Sequence, residues 1–420
     1  MAFLREKALQ TFFEDFNWIG EDQTTLPQFC MYDGAFVFRQ LTNILSRYEF
    51  EKCVDAYAGN HRVRTFPCWQ QFLCLCFGQL TFRDSARSIV LCLNAHPQKL
   101  YHLGFVGSIK LSTLCDANEQ RDWRIYEEFA QVLIRRARLL YQDDPSVLEG
   151  LTGRYYALDS TTIDLCLSVF PWAHFRDTKA AVKAHTILDL RGNLPTFVHI
   201  TDGTVHDVNV LDILEIEPGA CYILDRGYVD YGRLHAIKEK QAFFITRAKC
   251  NMQWERLYSR SVDQSTGLRC DQTIRLTSAR GREDYPELLR RVKYVDVETG
   301  NRYVFSTNNF DLTALQVAML YKMRWQIELF FKWMKGHLKI RAFWGESENA
   351  VRTQIWVAVC TYLAVAIVRK ELRIDRSMYE ILQILSVTAL DKIGLQELFS
   401  QNDLQISDSE NGILNLGLRY

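Results

Sequence analysis

One stretch of the sequence places a single carboxylate among several cations at helical spacing. Its polar positions are separated by three, four, four, three and four residues, so their side chains share one stripe of a helix. The stripe consists of Tyr321, Arg324, Glu328, Lys332, Lys335 and Lys339. An apolar stripe of the same spacing runs beside it, which indicates a helix largely packed into the protein, with its charges gathered at one place.

Glu328 has two interpretations within this stripe. It could pair with Arg324 and Lys332 in ordinary i, i+4 salt bridges, each worth about 0.3–0.5 kcal/mol. That interpretation does not explain why several cations accompany only one acid. Excess positive charge along one ridge favours an external anion, and a nucleic-acid backbone supplies one continuously. We therefore predict that the ridge binds nucleic acid.

Two aspartates each end an apolar run that is typical of a buried strand. Asp159 follows residues 155–158, and Asp225 follows residues 221–224. A lone aspartate after a strand usually begins a turn or caps a helix. Two such carboxylates on neighbouring strands, together with Glu328 on the cationic helix, instead indicate a site of hard oxygen ligands. The sequence thus predicts that these three acids bind Mg²⁺ or Mn²⁺.

The order of elements predicts an α/β fold. Residues up to about 145 carry apolar side chains at helical spacing, and from Arg154 the pattern changes to strands alternating with helices. This order is the plan of a ribonuclease-H-like domain. Residues from about 250 to 310 give short β-like runs, which we interpret as a β-rich insertion before the helix of Glu328. Thr313 and Gln316 are spaced as a capping box for the helices that follow.

Three regions are expected on this basis. Residues 1–150 form an all-helical N-terminal domain, residues 151–370 form the ribonuclease-H-like catalytic domain, and residues 371–420 form C-terminal helices and a tail. In the first region, Ser112 could cap a helix, and short paired helices are compatible with a DNA-reading module. The cations near the starts of those helices are Lys110, Arg121 and Arg124. A helical bundle whose charges face water fits the same periodicity.

Composition restricts the class of protein. The chain has 420 residues, 48% of them hydrophobic and 24% charged, with a net charge of zero. Between Arg226 and Lys339, however, the sequence has 21 Lys and Arg residues and only 12 Asp and Glu residues. A phosphate-binding groove requires such a local excess of positive charge. The apolar stretch 355–368 is too short to cross a bilayer comfortably, so we expect a cytoplasmic protein. Twelve cysteines without a C-x-x-C pair indicate buried free thiols.

The acidic residues stand in motifs that resemble a known family. The spacing of Tyr321, Arg324, Glu328 and Lys335 resembles the Y-R-E-K signature of bacterial insertion-sequence DDE transposases of the insertion-sequence-four group. Residues 157–161 resemble that family's first-Asp motif and residues 224–228 its second. The resemblance covers roughly residues 154 to 370, and it extends through Lys183-Ala184-His185, Thr201-Asp202-Gly203 and His206-Asp207. The helical region before it is also similar to the N-terminal domain of this group.

This resemblance implies a mechanism and partners. Asp159, Asp225 and Glu328 would hold two Mg²⁺ or Mn²⁺ ions that cleave and rejoin DNA strands. The residues assigned to DNA binding are Tyr321, Arg324, Lys332, Lys335, Lys339 and Arg226. The partners implied are double-stranded DNA, as terminal inverted repeats and target, and a second copy of the chain in the synaptic complex. Cut-and-paste members pass through a hairpin, with a tryptophan stacked on a flipped base. Trp254 is the tryptophan of the corresponding region here, although it aligns to no motif and a core or surface Trp is the simpler interpretation.

Other interpretations remain open at this stage. The chain could be a different ribonuclease-H-like nuclease, or a non-catalytic DNA-binding protein descended from a transposase. Further polar candidates lie near the same strands, and for most of them a turn or a structural hydrogen bond is the simpler interpretation. They are Asp164, Asp189, Asp202, His206 and Asp207.

Overall fold

The computed structural model describes residues 34–144, 151, 153–176, 179–337 and 343–400. The helices are α1 (Val37–Asn43), α2 (Arg47–Ala56), α3 (Cys68–Leu80), α4 (Ala86–Asn94), α5 (Pro97–Leu103), α6 (Leu111–Gln120), α7 (Arg124–Tyr141), α8 (Tyr231–Glu239), α9 (Ala279–Asp284), α10 (Ala314–Met323), α11 (Trp325–His337), α12 (Glu348–Glu371), α13 (Met378–Thr388) and α14 (Leu395–Ser400). The strands are β1 (Tyr155–Leu165), β2 (His174–Arg176), β3 (Lys179–Asp189), β4 (Leu194–Asp202), β5 (Cys221–Leu224), β6 (Phe243–Arg247), β7 (Trp254–Arg260), β8 (Leu268–Leu276), β9 (Leu289–Val295) and β10 (Arg302–Thr307).

The long helix α12 forms the centre of the helical region. It packs against α1, α3, α6, α7 and α13, and it also contacts β4 of the sheet. Its length of 24 residues exceeds the apolar stretch noted in the sequence, and it is long and apolar enough to cross a membrane. However, 94% of its most apolar window is buried inside the protein, so α12 is a core helix. One continuous apolar core thus joins the N-terminal helices to the sheet.

Local signals explain where the first helices begin, and two expectations there were wrong. Helix α6 begins at Leu111, so Ser112 lies inside the helix and Lys110 occupies the N-cap without a side-chain bond. Arg121 is buried, and it donates to the Gln71 side chain at 3.0 Å and to a backbone carbonyl. Its guanidinium satisfies polar groups inside the bundle and is therefore not available to contact DNA.

The catalytic part of the sheet has the strand order β4-β3-β1-β5-β6. Strand β3 pairs antiparallel with both β1 and β4, whereas β1, β5 and β6 run parallel. A hairpin-connected set of three antiparallel strands beside two parallel ones is the ribonuclease-H-like arrangement, which confirms the predicted fold class. Strands β7 to β10 form the predicted β-rich insertion, and β10 pairs antiparallel with β6, so the insertion continues the same sheet.

The cationic stripe lies on two helices instead of one. Thr313 and Gln316 form the predicted capping box at the start of α10. The chain then tightens at Arg324, where the Arg324 amide donates to the Tyr321 carbonyl at 3.2 Å and the Ile327 amide to the Arg324 carbonyl at 3.1 Å. These i to i+3 bonds separate α10 from α11. Lys339 and the predicted tail at 401–420 lie outside the described residues.

Candidate active site

Two of the three predicted acids lie at the same edge of the sheet. Strands β1 and β5 are parallel neighbours, and their last paired residues are Leu158 and Leu224. Asp225 follows Leu224 at the end of β5, whereas β1 continues to Leu165, so Asp159 lies within β1 where its pairing with β5 stops and not at the end of a strand as predicted. The carboxyl ends of parallel strands are where α/β folds place their ligand sites. Buried leucines therefore fix where the two acids emerge.

The third acid joins this edge through Arg324. The Arg324 guanidinium donates from Nη1 to Asp159 Oδ2 at 2.7 Å and from Nη2 to Glu328 Oε1 at 2.5 Å. The exposed fractions of the Arg324, Asp159 and Glu328 side chains are 15%, 22% and 34%, so the contact is largely screened from water. The i, i+4 salt bridge considered from the sequence is therefore present. The same guanidinium also reaches an acid on β1, which that interpretation did not foresee.

Tyr321 connects the remaining acid to the same pair of helices. Its hydroxyl donates to Asp225 Oδ1 at 3.1 Å, and its side chain is buried. Tyr321 and Arg324 are neighbours on the stripe, and the Arg324 guanidinium lies 5.7 Å from the centre of the Tyr321 ring. Two residues at the junction of α10 and α11 thus hold all three acids.

The electrostatics of Asp159 reflect its crowded position. Burial raises its pKa from 3.8 to about 6, and the nearby Asp225 and Glu328 carboxylates act in the same direction. The Arg324 guanidinium and the backbone amide of Ser160, which donates at 2.8 Å, lower that pKa. Three carboxylates against one guanidinium leave an excess of negative charge that calls for further cations.

The donor set suits a hard divalent cation, because every available ligand atom is a carboxylate oxygen. Among the described residues, His235, Glu239 and Glu287 are the group whose ligand atoms all lie within 4.8 Å of one another. The ligand atoms of the three acids at the catalytic edge are spaced more widely than this. In that second group Glu287 pairs with Lys238, which accounts for it as a surface ion-pair cluster. At the catalytic edge the wider spacing follows from the Arg324 side chain lying between Asp159 and Glu328.

The other residues assigned to DNA binding lie on the surface. Lys332 and Lys335 are exposed on α11, and Arg226 is exposed in the 3-10 helix Arg226–Tyr228 that follows Asp225. The structure therefore places Tyr321 and Arg324 against the acids and leaves three cations open to solvent. DNA contact by these residues remains a prediction.

Several minor candidates have structural explanations. Asp189 accepts from the Arg191 amide at 2.9 Å, and Asp202 accepts from the Thr204 amide at 2.8 Å, so both are turn residues. Asp164 is exposed. Trp254 packs against the apolar core beneath the sheet, with the Arg291 guanidinium 4.5 Å from its ring centre. Those contacts account for this tryptophan without a nucleotide.

One polar group near the acids was not recognised as a unit from the sequence. Lys183 and His185 on β3 lie close to Asp207, and Lys183 Nζ is 3.2 Å from Asp207 Oδ1. The available signal was the K-x-H spacing, which puts two polar side chains on one face of a strand. Asp207 itself was noted, but its partner could not be identified without the path of the intervening loop.

Comparison with known proteins gives matches over most of the chain. Residues 152–364 match a family described as a transposase DDE domain, and residues 33–106 match a domain of unknown function, DUF4372. The chain is 36% identical to a putative transposase of Sinorhizobium fredii (strain NBRC 101917 / NGR234) over 276 residues, which cover 64% of this chain and 74% of that protein. It is 30% identical to a probable transposase for insertion sequence element IS5377 of Geobacillus stearothermophilus, covering 49% of this chain and 54% of that protein.

Two further likenesses are more distant. A putative transposase for insertion sequence element IS4SA of Synechocystis sp. (strain ATCC 27184 / PCC 6803 / Kazusa) is 24% identical, over 68% of this chain and 80% of that protein. Among solved structures, a cryo-EM structure of the piggyBac transposase synaptic complex with hairpin DNA has a TM-score of 0.44 and 8% identity. That likeness covers 83% of this chain and 79% of the other.

Proposed function

Because this chain belongs to the family of transposases with a DDE domain, we propose that it cuts and joins DNA at the ends of an insertion sequence. The observation that carries the proposal is the meeting of Asp159, Asp225 and Glu328 around Tyr321 and Arg324. These acids come from two strands and a helix that are far apart in the chain.

The three acids are the proposed metal ligands. Two bound Mg²⁺ or Mn²⁺ ions would activate water or a DNA 3′-hydroxyl and would stabilise the leaving oxygen. Asp159 must be ionised to act as a ligand, and Arg324 favours that form by donating to its carboxylate. Tyr321 orients Asp225 through its hydroxyl. The chain's own contribution is thus to hold ionised carboxylates at fixed positions.

The exposed cations are the proposed contacts to the DNA backbone. Lys332 and Lys335 lie on α11 one and two turns beyond Glu328, on the stripe that begins at the acids. Arg226 lies next to Asp225. Cations placed on both sides of the acidic edge can hold phosphates of one duplex across it. Lys339 is proposed to extend the same ridge.

The route and the assembly are finer parts of the proposal. Cut-and-paste transposition through a hairpin is the proposed route, in which a freed 3′-hydroxyl attacks the opposite strand. Joining two transposon ends in one synapse requires at least two active sites, so we propose a dimer on double-stranded DNA. The N-terminal helices are proposed to read the terminal repeats.

The test is incubation of the full chain with DNA that carries the flanking inverted repeats, in the presence of Mg²⁺. Nicks, hairpins and joined products are then mapped on both strands. The proposal requires cuts at the repeat ends that vanish in Asp225→Asn and persist in Asp164→Asn, a matched change of an exposed aspartate on β1. Cutting without preference for the ends would favour a general nuclease. Binding without cutting would favour a non-catalytic DNA-binding protein.

A further inference from the structure

A buried polar cluster lies behind the catalytic strands. In the β1–β3 register Ser160 faces His185 and Thr162 faces Lys183, so both β3 residues lie on the sheet face opposite Asp159. Lys183 Nζ pairs with Asp207 Oδ1 at 3.2 Å and donates to the Val205 carbonyl at 2.8 Å. The Lys183 side chain is 14% exposed and the Asp207 side chain 38% exposed, so the pair is partly buried. This ion pair therefore links the loop after β4 to β3, which pairs with the strand that carries Asp159.

His185 makes Asp207 dependent on Lys183. The His185 side chain is fully buried, and burial lowers its pKa to about 4, so the ring is neutral near neutral pH. His185 Nε2 lies 3.0 Å from Thr201 Oγ1, and Nδ1 lies 4.0 Å from Asp207 Oδ1, which is beyond hydrogen-bond distance. A neutral ring at that distance supplies no charge to Asp207, so the attraction comes from the Lys183 ammonium.

The segment that begins at Asp207 packs against the segment directly after Asp225. Asp207 is the first residue of the 3-10 helix Asp207–Asp212, and this helix contacts the 3-10 helix Arg226–Tyr228. Arg233 adds a second tie, because it donates to both carboxylate oxygens of Asp212 at 2.7 Å. The buried Tyr228 hydroxyl lies between these segments, where burial raises its pKa and the charges of Asp159, Asp207 and Asp225 add to the effect.

Stability alone does not account for this arrangement. A buried ion pair often contributes little to folding, because desolvation of both charges offsets their attraction. Here, however, the pair connects β3, the neighbour of the strand that carries Asp159, with the loop after β4, whose 3-10 helix packs against the segment directly after Asp225. We infer that Lys183 and Asp207 are positioning residues that fix the separation of Asp159 and Asp225. His185 is the neutral side chain that lies beside Asp207. The inference rests on the proposed function in that these two aspartates bind divalent cations together.

The experiment measures Mn²⁺ binding to the full chain by calorimetry, beside the Mg²⁺ concentration that half-saturates DNA cleavage. Lys183→Met and Asp207→Asn should each weaken Mn²⁺ binding about tenfold, as is usual when partners of metal ligands are lost. The double variant should be no weaker than either single one, because the two residues act as a unit. Lys370→Met and Asp144→Asn remove another partly buried Lys–Asp pair, between α12 and the segment after α7, and both should bind Mn²⁺ like wild type.

The conservative variants Lys183→Arg and Asp207→Glu keep the charges and guard against misfolding. Retention of most of the Mn²⁺ affinity by Lys183→Arg, with a wild-type Tm in EDTA, supports the inference. Equal Mn²⁺ affinity in wild type, Lys183→Met and Asp207→Asn overturns it even if DNA is cut normally. Weakened Mn²⁺ binding in both variants of a chain that cuts no DNA upholds the positioning role and refutes the proposed function. A wild-type chain that binds no Mn²⁺ refutes both.

Discussion

Arg324 Nη1 lies 2.7 Å from Asp159 Oδ2, although 165 positions separate the two residues in the chain. The same guanidinium donates to Glu328 at 2.5 Å, and its Nε is buried without a hydrogen-bond partner among the described residues. One guanidinium held by two acids offsets part of their negative charge before any other cation binds. Arg324 therefore acts on the acids themselves, whatever further contact it makes with a phosphate.

Replacing Arg324 with Gln should destabilise the protein in EDTA. The Asp159 and Glu328 carboxylates would lose their shared cation, and a loss of about 1–3 kcal/mol in the free energy of unfolding is expected for a pair that is largely but not fully buried. Mg²⁺ should stabilise the variant more than wild type, because the ion no longer competes with a guanidinium. Urea denaturation with EDTA and with Mg²⁺ measures both effects. Equal Mg²⁺ stabilisation of the two proteins would contradict this role.

Tyr321→Phe removes one hydroxyl and little else. Because that hydroxyl donates to Asp225 at 3.1 Å, its loss should slow DNA cleavage about tenfold while the DNA dissociation constant stays within twofold. Single-turnover cleavage and filter binding separate the two quantities. Had Tyr321 instead contacted a phosphate, as the sequence suggested, DNA binding would weaken and the single-turnover rate would change little. That pattern would contradict the assignment of Tyr321 as the hydrogen-bond partner of Asp225.

Several parts of this site could be predicted from local sequence because their signals are local. Thr313 and Gln316 form the predicted capping box of α10, and Asp225 follows the apolar strand β5. The break at Arg324 could not be predicted. Residues around it keep a continuous apolar periodicity, and neither Gly nor Pro marks the junction. The prediction of one continuous helix through Arg324 aligned the polar side chains on one stripe, but it did not indicate that Arg324 contacts Asp159.

Long-range polar contacts were beyond the sequence for a different reason. The pairing of Lys183 with Asp207 depends on how the loop after β4 returns over β3, which no residue pattern specifies. Arg121 was named with Lys110 and Arg124 as compatible with a DNA-reading module, yet its guanidinium is buried against Gln71. Burial of a charged residue is set by tertiary packing and not by local propensity. Lys110 and Arg124 are exposed, so local sequence did not separate the buried cation from the exposed ones.

Changing both Lys332 and Lys335 to Ala should weaken DNA binding and flatten its salt dependence. Each lost phosphate contact lowers the slope of log K against log salt by about one. Fluorescence anisotropy over a range of KCl concentrations measures the slope. The matched control is Lys322→Ala, since Lys322 is exposed on α10 but already paired with Asp296 and Glu298. A wild-type slope in the double variant would remove these lysines from the DNA interface.

Asp159 should make the metal-free protein more stable as the pH falls toward 5. Its pKa in the folded chain is about 6, above the ordinary value of 3.8, mainly because of burial. Between these two values the folded state binds more protons than the unfolded state, so this group stabilises the fold as pH drops through 6 and opposes it above. The effect amounts to at most about 3 kcal/mol. It is complete only below pH 3.8, where Asp159 is protonated in the unfolded chain as well.

The comparison that isolates Asp159 is wild type against Asp159→Asn, both in EDTA, with unfolding free energies measured from pH 8 to pH 4.5. The difference, wild type minus variant, should rise as the pH falls through 6, because only wild type can relieve the buried charge by protonation. Asp164→Asn, which changes an exposed aspartate on the same strand, should instead give a profile parallel to wild type. Parallel profiles for wild type and Asp159→Asn would mean that the pKa of Asp159 is not raised in the folded chain, because Arg324 and the Ser160 amide offset the effect of burial.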